Sequence, residues 1–105
     1  MQNKRELLLS TVKKLAELGL NKGTSGNVSL RVDDDLRESG YLITPSGMSA
    51  EEMKTSDLVW MDFSGHATGE RQPSSEWRFH QDILAHRPEI NAVIHTHSMF
   101  ATTLS

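Results

Sequence analysis

The sequence contains no cysteine, which excludes disulfide staples and thiolate metal sites. It contains no apolar run near the ~20 residues that a membrane helix needs. The opening stretch Met1 to Glu6 leads into a mixed segment with Lys13, Lys14 and Glu17, unlike the apolar core of a signal peptide. A cytoplasmic protein without a membrane partner is therefore expected. No long basic run is present and the net charge is −3, so the electrostatic footprint of a nucleic-acid binder is missing. Apolar residues make up 36% of the 105 positions, a low share for a globular domain. A chain of this length supports one domain at most. Either its core is thin, or part of that core comes from outside this sequence.

What is present is patterned. Leu8, Val12 and Leu15 recur at helical spacing within residues 4–18, and Gly19 suits the position just past a helix end. Asn21 to Asn27 reads as a loop by composition. Val28, Leu30 and Val32 alternate with Ser29 and Arg31, the mark of a half-buried strand. The acidic run Asp33-Asp34-Asp35 begins a solvated connection. Residues 41–44 form a second strand that ends at Pro45-Ser46-Gly47. Ser49 and Glu52 stand at capping-box spacing and predict a short helix. Residues 58–62 read as a third strand, with a return near residues 67–70. A helix is expected over 76–86, stopped by Pro88, and a further strand over 90–97. Ser98 is placed to cap a helix starting at Met99. An amphipathic helix broken off at Ser105 leads us to expect a piece of a longer chain. Strands in hairpins with helices before and after indicate an α+β fold, a mainly antiparallel sheet layered with helices.

Chemistry-bearing residues occur in four groups. His95 and His97 are two apart on a strand, so both imidazoles leave the same face and can chelate one metal ion. A pair of polar residues on a wet sheet face is an equal reading of that spacing. Ser74-Ser75-Glu76 opens a helix. Such residues serve as caps and complement the helix dipole, while the free N–H groups there can also bind an anion. The loops Thr24-Ser25-Gly26-Asn27 and Thr44-Pro45-Ser46-Gly47 are small-residue turns that can cradle an anion or simply turn the chain.

Taken in order, Gly26-Asn27-Val28-Ser29, Thr44-Pro45-Ser46-Gly47, Ser74-Ser75-Glu76-Trp77-Arg78-Phe79-His80 and His95-Thr96-His97-Ser98 resemble the class II aldolase/adducin family. The likeness is strongest to its L-fuculose-phosphate aldolase type and runs from the first helix to the last residue. It implies the N-terminal part of a single domain of that family over residues 1–105, a zinc ion held by His95, His97 and Glu76, and a third histidine ligand expected beyond Ser105. It implies Glu76 as the catalytic acid/base, and a substrate phosphate held by Gly26, Asn27, Ser46, Gly47, Ser74 and Ser75. The implied reaction is retro-aldol cleavage of a phosphorylated ketose through a zinc-stabilised enediolate, in carbohydrate metabolism. The implied assembly is a homotetramer, in which a neighbouring subunit lends a tyrosine. Glutamate at position 76 favours an aldolase over the family's epimerase branch, which typically has aspartate there. Epimerase, dehydratase and decarboxylase chemistry, and a non-catalytic adducin-like interaction domain, are the alternatives. His80, on the same helix, is placed either beside the metal or, the favoured reading, in a structural or capping role; His66 and His86 are given no role.

Overall fold

The computed structural model describes residues 3–19, 26–32, 39–96 and 99–104, with side chains described up to His95. Helix α1 (Lys4–Glu17) opens on Asn3, whose side chain accepts from the Glu6 N–H at 2.8 Å, satisfying one of the helix's unpaired donors. Strands β1 (Asn27–Val32), β2 (Gly40–Ile43), β3 (Val59–Asp62) and β4 (Ala67–Thr68) follow. Helix α2 (Trp77–His86) then leads to β5 (Ala92–Thr96) and β6 (Met99–Leu104). All pairings are antiparallel, in the order β4-β3-β2-β1-β5-β6.

Strand alternation sorts the side chains into two layers, because successive residues leave opposite faces. Val28, Leu30, Leu42 and Leu58 pack with Leu8 and Val12 of α1. Tyr41, Ile43, Val59, Met61 and Val93 pack with Leu84 of α2. The result is helix, sheet, helix. Full burial of an aliphatic side chain contributes about 1.5–3 kcal/mol, so these two clusters carry most of the favourable term.

Polar ties lock the layers. The Arg31 guanidinium donates to the carbonyls of Leu84 at 2.6 Å, Ile90 at 2.8 Å and Arg87 at 3.1 Å. It thereby closes the C-terminal end of α2 against β1 and satisfies orphan carbonyls there. Arg5 bonds the carbonyls of Thr55 and Leu58, both at 3.0 Å, anchoring α1 to the approach to β3.

Two local expectations change. The Ser49–Glu52 spacing does form its contact, Ser49 Oγ to Glu52 Oε1 at 3.1 Å, but it closes a turn. The helical turn follows instead at Thr55–Asp57 as 3-10 helix. Residues 99–104, expected as helix, form strand β6, which pairs with the open edge of β5. The composition Met-Phe-Ala-Thr-Thr-Leu suits either state, and an unpaired neighbouring strand edge favours the strand. The expected loop over 21–25, the acidic turn at 33–35, and His97 and Ser98 lie outside the described residues.

Candidate active site

Glu76 stands at the N-terminal boundary of α2, and its side chain makes no capping bond. In the turn just before the helix, Ser74 Oγ accepts from the Glu76 N–H at 3.2 Å. The Glu76 carboxylate is left to reach the sheet, where Oε2 lies 3.3 Å from His95 Nδ1. His95 is on β5, directly opposite Asn27 of β1, on the face that α2 covers. Phe79 leans on the His95 ring at 5.5 Å between centroids and limits its rotation.

The small-residue segments are stitched together through Thr44. Its N–H donates to the Val28 carbonyl at 3.1 Å, and its carbonyl accepts from the Ser74 N–H at 3.0 Å. Its Oγ1 accepts from the Val28 N–H at 3.2 Å. Pro45 and Pro73 form a bridge beside it, closed by the Ser46 N–H on the Gln72 carbonyl at 2.9 Å. Gly47 turns the chain away with φ +69°, a conformation that favours glycine. Three segments far apart in sequence, around Asn27, Ser46 and Ser74, therefore share one hydrogen-bonded frame. Asn27 and Ser74 are buried, while Ser46, Gly47 and Ser75 are exposed. Gly26 is half-buried. The Ser46 and Ser74 N–H groups are used within this frame. Among the described residues, the hydroxyls, the Asn27 amide, and the backbone N–H groups of Gly47 and Ser75 are not used as donors within this frame.

Sequence reasoning missed the buried polar link beneath this frame. His80 has no exposed surface. Its Nε2 lies 2.5 Å from Asn27 Oδ1 and its Nδ1 lies 2.6 Å from Ser29 Oγ. Desolvation, aided by the nearby His95, pushes its pKa down to about 3, so the ring is neutral. The signal was available in outline. Asn27 and Ser29 are two apart on a strand, and His80 is one helical turn past Glu76, so all of them face the α2 side of the sheet.

The family model of the class II aldolase and adducin N-terminal domain matches residues 6–105. The chain belongs to this family. It is 50% identical over 101 residues to a 5-methylthioribulose-1-phosphate/5-deoxyribulose-1-phosphate aldolase of Rhodospirillum rubrum, which covers 96% of the chain and 43% of that protein. It is 42% identical over 98 residues to an L-fuculose phosphate aldolase of Escherichia coli, covering 93% of the chain and 43% of the relative. Among solved structures, an L-fuculose 1-phosphate aldolase superposes with a TM-score of 0.79 at 42% identity, over 92% of this chain and 46% of that one. The chain spans less than half the length of these relatives. The α+β fold is that of the class II aldolases.

The family likeness implies zinc, and the donor set can be tested for fit. Among the described residues, His95 Nδ1 is buried without a hydrogen-bond partner. Its approach to Glu76 Oε2 at 3.3 Å is an ion-pair distance without hydrogen-bond alignment. Two ligands of a tetrahedral ion at ~2.0–2.1 Å stand roughly 3.3 Å apart, so the spacing suits a shared cation. Among the described residues no group of three histidine or carboxylate side chains gathers at one point. His95 and Glu76 supply two donors there, and His97 is not among the described residues.

Proposed function

We propose that this chain is the N-terminal part of a class II sugar-phosphate aldolase, a carbon–carbon lyase that cleaves a phosphorylated ketose. The observation that carries the reading is the Glu76 carboxylate 3.3 Å from His95 Nδ1, unpartnered among the described residues, beside a frame that unites the Asn27, Ser46 and Ser74 segments. The relatives named as aldolases of sugar 1-phosphates support the substrate class.

In this reading His95, His97 and Glu76 hold zinc, completed by a histidine beyond Ser105. When bound, zinc supplies Lewis-acid stabilisation of the negative charge left on the ketose fragment as the carbon–carbon bond breaks. Glu76 moves the proton at the carbon that takes the bonding electron pair. Its position at the start of α2, free of capping duty, leaves the carboxylate for that transfer. Gly26, Asn27, Ser46, Gly47, Ser74 and Ser75 hold the phosphate through neutral donors. Binding energy from this remote group fixes the reacting carbons against the base. The same reading carries a cytoplasmic homotetramer in which a neighbouring subunit completes the site.

The test is retro-aldol cleavage of ketose 1-phosphates, with metal content measured in parallel. Glu76→Gln keeps the side-chain volume and removes the base. Turnover is expected to fall by about 10²–10⁴-fold with zinc still bound through the histidines. Near-normal cleavage by this variant would refute the role of Glu76. A protein that binds no divalent metal would refute the reaction and favour a non-catalytic adducin-like domain.

A further inference from the structure

Beneath the candidate phosphate frame lies a closed polar triad on the α2 face of the sheet. Asn27 and Ser29 come from β1, and His80 comes from the middle of α2. Ser29 and His80 have no exposed surface, and Asn27 is 6% exposed. Groups so buried must be paired to avoid a desolvation cost. With Asn27 Oδ1 facing the ring, one proton arrangement satisfies all three groups. Asn27 Oδ1 is a carbonyl oxygen and only accepts, so the His80 Nε2 at 2.5 Å carries the ring proton. A neutral imidazole then has Nδ1 as an acceptor, which takes the Ser29 O–H at 2.6 Å.

We propose that His80 is a positioning residue for anion recognition: its Nε2–H holds Asn27 Oδ1, so that the Asn27 carboxamide turns its Nδ2–H2 donors to the substrate phosphate. The inference deepens the sugar-phosphate reading and rests on it. A carboxamide rotated by half a turn would place a carbonyl oxygen against a dianion and exchange attraction for repulsion. Nothing in Asn27 itself selects between the two orientations. His80 selects one, because its only N–H points at Oδ1. The Ser29 hydroxyl, which can donate or accept, completes the arrangement by donating to the other ring nitrogen.

The experiment uses inorganic phosphate as the calorimetric probe and a ketose 1-phosphate for kinetics. His80→Gln places an N–H donor near the position of Nε2, whereas His80→Asn reaches only the Nδ1 side. Both are buried amides, so they share whatever general cost the pocket exacts. Expected are phosphate affinity for His80→Gln within about threefold of the parent, and affinity for His80→Asn weaker by roughly tenfold to a hundredfold, the worth of a hydrogen bond to a charged group. KM for the phosphorylated substrate should rise with the same ranking, by a larger factor than kcat falls. A His80→Asn/Asn27→Ala double variant should bind no more weakly than Asn27→Ala alone.

Equal affinities for the two His80 variants, or additive losses in the double variant, would overturn the positioning role. Asn27→Asp gives a second measure that keeps the acceptor for His80 and so spares the fold. It replaces the Nδ2 donors by a negative oxygen, and phosphate binding should vanish. Parent-like binding by Asn27→Asp would also overturn the inference. A parent protein that does not bind phosphate at all would instead remove the sugar-phosphate reading, and the inference with it.

Discussion

Removing the His80 imidazole should change how stability depends on pH, and the size of the change follows from its burial. In the unfolded chain a histidine titrates near ~6.5. In the fold the desolvated ring titrates at about 3. A proton therefore binds the unfolded state first as the pH falls. The sign is fixed by linkage: a group whose folded pKa is depressed leaves stability intact above the unfolded pKa and withdraws it below. Each pH unit under ~6.5 costs about 1.4 kcal/mol until the folded pKa is approached. Between pH 7 and pH 5 the loss from this one ring comes to about 2 kcal/mol. A cation held at His95 would depress the ring further and leave this window unchanged. The carboxylates with lowered pKa, at Asp57, Asp62 and Glu89, release their contributions at lower pH and are common to both proteins compared. The assay is urea unfolding of the parent and of His80→Gln at pH 7, 6 and 5. The parent should lose about 2 kcal/mol more than the variant over that range. Parallel stability curves would refute the assignment of a buried neutral imidazole.

Three further outcomes follow from the fold. Arg31→Ala removes the guanidinium that closes the end of α2 on the Leu84, Arg87 and Ile90 carbonyls; with hydrogen bonds to a charged group worth about 1.5–3 kcal/mol, chemical denaturation should register a loss of about 3 kcal/mol. Thr44→Val keeps the shape but leaves the buried Val28 N–H without the Oγ1 acceptor, at a cost of about 1–3 kcal/mol in the same assay, and should also weaken phosphate binding by loosening the frame. At Gly40 an added Cβ would lie 2.6 Å from the Trp60 ring and closer still to the Met61 carbonyl. Gly40→Ala should therefore destabilise by about 1–3 kcal/mol, and an unchanged melting temperature would show that the β2–β3 contact is looser than the structure has it.

Much of the architecture is written in local periodicity. Leu8 and Val12 mark the buried side of α1, and the alternation Val28-Ser29-Leu30-Arg31 places apolar side chains on one sheet face and polar ones on the other. These patterns are read directly because helix and strand repeats depend only on backbone geometry. The Ser-Ser-Glu start of α2 was legible in the same way, since helix ends must satisfy free N–H groups. The roles of its residues were not: Ser74 bonds the Glu76 N–H in the turn before the helix, and the Glu76 carboxylate caps nothing and lies toward His95. Residues 99–104 show the limit of periodicity, because a short apolar segment takes the state that its neighbours offer, and here that neighbour is the edge of β5.

The ordered motifs by themselves determined the family and named the residues of the candidate site. What only the tertiary structure decided is how those residues are held. His80 meets Asn27 and Ser29 across 53 and 51 positions of sequence, and Ser74 meets Thr44 through a backbone bond that no motif specifies. Contacts of that kind depend on strand register and on which sheet face a helix covers. A single sequence encodes both only through the sum of its packing, so a histidine that reads locally as one more polar helix residue becomes, once folded, a buried tie between α2 and β1.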